Sequence, residues 1–153
     1  MASSYNLNFI NITQVCIMNG KGSIKPRNSR DYSSQESDHH VWDRAGMLDR
    51  LMGDKQLVET VMKRFVQEIP GRIKLLENCL GKSDLEEADR LAHSLKGSCA
   101  NVHAGIMSSR IKELERALES GDLQKALGVV RKLEDAFQLL KQAAEKTRPD
   151  RDE

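Results

Sequence analysis

Aromatic side chains are scarce in this sequence, at 4% of 153 residues, and proline occurs only three times. Leu, Ala, Lys and Glu are common by contrast, and these are strong helix formers, so the composition leans all-α. No apolar run approaches the roughly 20 residues of a membrane span. Met1 to Gly20 lacks a basic n-region, and Asn, Thr and Gln interrupt its apolar residues, which argues against a signal peptide. A dominant charge is missing as well. With 24 Lys+Arg against 23 Asp+Glu, no overall field draws the chain to nucleic acid or to an anionic membrane. Cys16, Cys79 and Cys99 are odd in number, far apart and without CxxC spacing. They support neither zinc nor a disulfide framework, and they fit a reduced, cytoplasmic chain.

What is present falls into two regions. Residues 1–40 are rich in Asn, Ser, Gly and Arg, with no sustained helical period, and Ser23 to Asp38 reads as a solvated linker. Leu7, Phe9, Ile12, Val15 and Ile17 suit a short strand or an ordered arm. A remnant of a preceding domain and a vector-derived extension fit equally well. Asn11-Ile12-Thr13 matches a glycosylation sequon, but no secretory signal accompanies it. Residues 41–147 are helical in pattern and long enough for one domain with a sizeable core. Residues 148–153 form a charged tail, expected to fray.

The helical region divides readily. A short helix is predicted over Trp42 to Met52, ended by Gly53. Asp54 then caps a long helix carrying Leu57, Val58, Val61, Met62, Phe65, Ile69, Ile73, Leu76 and Leu80 in steps of 3 and 4. Pro70 is expected to bend it near Val66, and Gly81 to close it. Ser83-Asp84-Leu85-Glu86 reads as a capping box with Ser83 at the N-cap. The next helix carries Leu85, Ala88, Ala92, Leu95, Cys99 and Val102 on one stripe, and Gly105 is expected to break it. Met107, Ile111, Leu114 and Leu118 form a further stripe, ended at Ser120-Gly121-Asp122. Leu123, Leu127, Val130, Leu133, Phe137, Leu140 and Ala144 form the last. The predicted fold is an antiparallel four-helix bundle with an extra short N-terminal helix.

His93 lies off this seam. Successive helical residues are about 100° apart, so the residue after Ala92 faces away from the core. Its surface neighbours are Asp89, Arg90, Lys96 and Gly97, with Ala100 one turn further, and Ser94 and Ser98 are also small. Glycine inside a helix costs about 1 kcal/mol relative to alanine, so Gly97 beside a histidine calls for a reason. Access for a second protein is one; close helix packing is another. An exposed imidazole is largely neutral near pH 7 and offers one ring nitrogen as a nucleophile. A hydrolase would need a cleft, a polarising partner and an oxyanion site, and the sequence supplies none of these. The geometry alone leaves two readings open: an accessible nucleophile, or an ordinary solvated histidine.

Ala92-His93-Ser94-Leu95-Lys96-Gly97-Ser98-Cys99-Ala100-Asn101-Val102-His103-Ala104 resembles the signature of histidine-containing phosphotransfer (HPt) domains, roughly H-x-L-K-G-(S/A)-(S/A)-x-x-(apolar)-G-A. Leu48 to Phe65, with Leu51-Met52-Gly53-Asp54, is similar to the family's opening segment. Leu114-Glu115 and Gly121-Asp122 fall where the family has helix-end elements. The resemblance runs from about Val41 to Ala144. It implies that His93 accepts a phosphoryl group from a receiver-domain aspartyl phosphate, at Nε2, and passes it to another receiver. It further implies that Lys96 steadies that group and that Gly97 gives the receiver's loops room. Mg²⁺ would belong to the partner receiver, so no cofactor of the chain's own is expected. The chain would be a cytoplasmic, monomeric phosphorelay carrier, standing alone or cut from a hybrid sensor kinase, without ATP-dependent kinase activity.

Two residues depart from the pattern. His103 stands where the family has glycine, and about 80° separates it from His93 around the helix, which argues against a second acceptor. Cys99 replaces a commoner Ser or Ala and reads as a small buried thiol. Rival functions fare less well. No Gly-rich nucleotide motif supports a kinase. His93 and His103 share no face, and no Glu-x-x-His pair supports a di-iron bundle. A helical protein-interaction module with an incidental histidine is the runner-up.

Overall fold

The computed structural model describes residues 40–147. The suggested arm at Leu7 to Ile17, the linker, the Asn11 sequon and the tail from Arg148 lie outside those residues. Five helices follow in order: α1 (Arg44–Arg50), α2 (Lys55–Gly81), α3 (Leu85–Asn101), α4 (Gly105–Glu119) and α5 (Leu123–Lys146). Helices α2 to α5 close into a ring, with α2 and α4 each packed between α3 and α5, while α1 rests on α2. The architecture is the expected all-α bundle with an additional N-terminal helix.

The 3–4 spacing of apolar residues places one stripe of each helix in the common core. Phe65, Ile69, Leu76, Leu95, Ile111, Leu114, Leu133 and Leu140 are all essentially inaccessible to solvent. Small residues fill the remaining positions, so Ala117, Ala126 and Ala136 also turn inward although the larger-residue stripes omit them. Leu57, Leu85, Leu123, Leu127 and Ala144 are only half-buried, at the margins of their stripes. Helix α2 continues through the exposed Pro70 without interruption.

Aspartate caps four of the five helices. The carboxylates of Asp43, Asp54, Asp84 and Asp122 accept from the backbone N–H groups of Gly46, Leu57, Glu87 and Lys125, at 2.9, 3.0, 3.2 and 3.0 Å. Each bond satisfies one of the orphan donors at a helix start. The cap of α3 is therefore Asp84 and not Ser83, and the expected capping box is displaced by one residue.

The reason lies in how α2 ends. Asp84 N–H donates to the Cys79 carbonyl at 2.8 Å and Ser83 N–H to that of Leu80 at 3.0 Å, the paired bonds of a Schellman ending. That ending needs a left-handed residue, and Ser83 supplies it at φ 56°. The helix does end at Gly81 as expected, but the left-handed turn that follows is made by Ser83 and not by the glycine. The same paired bonds close α1 at Met52, α3 at His103 and α4 at Gly121. Only the last of these positions holds glycine; Met52 and His103 have φ 59° and 58°. The first helix is accordingly shorter than Trp42 to Met52. The break after α3 also falls at Val102–Ala104, so Gly105 begins α4, buried, instead of breaking the chain.

Candidate functional site

Helix α3 presents His93 away from the core. Leu95, two residues on, is 1% exposed, whereas the His93 side chain is 82% exposed. Gly97, Ala100 and Asp89 are exposed on the same flank, and Arg90 is occupied by an ion pair with Glu86 at 2.9 Å. The expected surroundings of His93, Lys96 and Gly97 are therefore assembled on one helix face.

A residue from the neighbouring helix joins them. Glu115, on α4, places Oε2 2.9 Å from Lys96 Nζ and Oε1 3.7 Å from His93 Nδ1. The first is a charge-assisted hydrogen bond across the α3–α4 seam; the second exceeds hydrogen-bond distance but aims a carboxylate at one ring nitrogen. Nε2 makes no hydrogen bond among the described residues. Glu115 is well sheltered, at 17% side-chain exposure, and Lys96 is partly so, at 41%. Sequence reading placed Leu114-Glu115 at a helix end, yet the pair lies inside α4, one turn before its close. Hairpin symmetry does not pick it out either, because Lys96 lies five residues before the end of α3 and Glu115 ten residues after the start of α4.

Ser98 belongs elsewhere than expected. It is buried, not part of the flank, and faces α2. There Arg72, itself only 7% exposed, donates to Ser98 Oγ at 3.0 Å. Ser98 Oγ in turn donates to the Ser94 carbonyl at 3.3 Å. Burial lowers the Arg72 pKa, against the pull of Glu68, and the guanidinium stays charged. It pins α2 to the turn of α3 that follows His93. Cys99 is buried as expected, and desolvation pushes its thiol up to about 12, which leaves it unreactive at neutral pH.

His103 is remote from His93 and sits at the α3–α4 connection against Asp43, with Nδ1 3.8 Å from Asp43 Oδ2. Among the described residues, no group of three or more His, Cys, Asp or Glu is placed to hold a metal ion. No helix of these residues is long and apolar enough to cross a membrane.

Fold and site together define a histidine-presenting four-helix bundle, in which one imidazole stands on an open flank beside a lysine–glutamate pair. A family model described as Hpt domain matches residues 60–143, more than half of the 153-residue chain, and that range includes His93, Lys96, Gly97 and Glu115. The chain belongs to the Hpt domain family, the phosphotransfer carriers of two-component signalling. Among solved structures, it is similar to histidine-containing phosphotransfer protein B from Pseudomonas aeruginosa. The likeness has a TM-score of 0.62 at 24% identity, covering 72% of this chain and 99% of that one. Comparison with curated proteins gives no match.

Proposed function

We propose that His93 is the phospho-acceptor of a monomeric, cytoplasmic phosphorelay carrier that takes a phosphoryl group from one receiver domain and gives it to another. The observation that carries this reading is the asymmetry of the imidazole, with Nδ1 facing the Glu115 carboxylate and Nε2 open. A carboxylate opposite Nδ1 favours the proton there and leaves the Nε2 lone pair free.

In the transfer, that lone pair forms the N–P bond as the P–O bond to the receiver's aspartate breaks, and the electron pair leaves with the aspartate carboxylate. Nδ1 keeps its proton throughout. Delivery reverses the step: a carboxylate oxygen of the second receiver attacks phosphorus, and the N–P electron pair returns to Nε2. Such transfers depend on positioning and charge stabilisation. Lys96 serves the second need by turning from Glu115 toward the incoming phosphoryl oxygens. Gly97 serves the first, since a helix face without a side chain lets the receiver's loops approach. Mg²⁺ and the acidic residues around it are supplied by the receiver.

Mixing the full chain with a phosphorylated receiver tests this. The expected product is a phosphorylated protein whose label is acid-labile and base-stable, lost in His93→Gln. Labelling of His93→Gln to the wild-type level overturns the assignment.

A further inference from the structure

The residue that departs from the family motif has a structural consequence of its own. At φ 58°, His103 occupies a left-handed position that glycine takes without steric cost. A non-glycine residue there is disfavoured by roughly 1–2 kcal/mol. What the side chain does in exchange is visible around it. The ring is 9% exposed, with Nδ1 3.8 Å from Asp43 Oδ2. The His103 carbonyl accepts from Asp43 N–H at 3.0 Å, and just beyond, Ile106 N–H donates to the His40 carbonyl at 3.0 Å. Asp43 is also the cap of α1, bonded to Gly46 N–H at 2.9 Å. Gly46 must lack a side chain here: a Cβ would run into the Asp43 carboxylate and lie 3.0 Å from His103 Nδ1.

We propose that Asp43, Gly46 and His103 form an acid-sensitive latch that holds α1 against the end of the acceptor helix α3 and releases it when the imidazole takes up a second proton. With its proton on Nδ1 toward Asp43, the neutral ring leaves Nε2 buried and without a hydrogen-bond partner. That is tolerable for a bare lone pair. A second proton converts Nε2 into a buried donor with no acceptor, a larger penalty. The charged groups acting on the ring are Asp43, which favours the cation, and Arg50 in the last turn of α1, which opposes it; α3 and α4 contribute none among the described residues. Burial is the largest influence, and with Arg50 it outweighs Asp43, so the ring holds its second proton less firmly than a free histidine does. Acid therefore favours the state in which the ring reaches water. Of the five helices, α1 is the one that must move for this, being short and packed mainly on α2.

The sole tryptophan reports the event. Trp42 immediately precedes Asp43, is half-buried, and lines a cavity of about 50 Å³ with Val58, Met62 and Val66. Tryptophan emission of the full chain, followed from pH 7.5 to 4.5 with circular dichroism to confirm that the bundle stays folded, is expected to shift red. The midpoint should lie below the free-histidine value of about 6.5. His103→Gly keeps the left-handed turn but has no imidazole, and it should lose the transition; His103→Asn, which also tolerates that conformation, serves if the glycine variant misfolds. Gly46→Ala wedges the contact open and should show the red-shifted emission already at pH 7.5. Absence of a wild-type transition, its persistence in the folded His103 variant, or closed-state emission from Gly46→Ala overturns the latch. None of these readouts involves phosphate, so they stand or fall independently of the role of His93.

Discussion

His93 and Leu95 are two residues apart on α3, yet their environments differ completely. His93→Gln replaces a solvated ring and should change stability by at most about 0.5 kcal/mol, whereas Leu95→Ala empties part of the core and should cost about 2–5 kcal/mol. Thermal unfolding of both variants checks the order. Glu115→Gln keeps the shape of the side chain but removes its charge. Because the Lys96 pair is partly solvated, stability should move by less than about 1 kcal/mol. Phosphoryl uptake should slow on the order of 10-fold, the scale of losing a group that orients a histidine. Nitrogen chemical shifts of His93 should show the Nδ1–H tautomer losing population. His93, Lys96 and Gly97 were legible because their types and spacing lie on one helix. Glu115 and Arg72 were not, since each acts across a seam between helices, and periodicity along one segment says nothing about its neighbour.

Helix ends tested sequence reading harder than helix interiors. The run Ser83-Asp84-Leu85-Glu86-Glu87 holds two overlapping capping registers, Ser83 with Glu86 and Asp84 with Glu87. The preceding Schellman ending decides between them, because it requires Ser83 in the left-handed region. The two residues should therefore respond in opposite senses. Asp84→Ala should destabilise by about 1 kcal/mol, and Ser83→Gly should stabilise by up to about 1 kcal/mol, as its backbone strain is relieved. Urea unfolding midpoints separate the two. Gly81 marked the end of α2 correctly, whereas Gly105 misled: glycine is common at helix ends, but the hydrogen bonds of the turn decide which residue terminates.

For the molecule as a whole, the four core stripes specified the bundle directly, since each repeats at a spacing that suits only a helix packed along its length. Its pH response was not legible, because it depends on His103 being buried against a segment sixty residues earlier. Folding lowers the His103 pKa. Between that lowered value and about 6.5 the unfolded chain binds more protons than the folded one, so stability rises with pH in this window. The contribution is complete above pH 6.5, declines as pH falls through the window, and then levels off. Comparing urea midpoints at pH 7.5 and 5.0 should show a larger drop for wild type than for His103→Asn.

The Lys96–Glu115 bond has a bearing on traffic. On the proposed role of Lys96, one ammonium group serves two anions in turn, the Glu115 carboxylate in the empty carrier and the phosphoryl group in the loaded one. If Lys96 changes partner on loading, Glu115 is left bare beside a newly anionic histidine. A receiver arriving to deliver then meets a neutralised flank, and one arriving to collect meets a net negative flank. The empty and the loaded carrier become different surfaces, and a receiver could tell them apart before any bond is made.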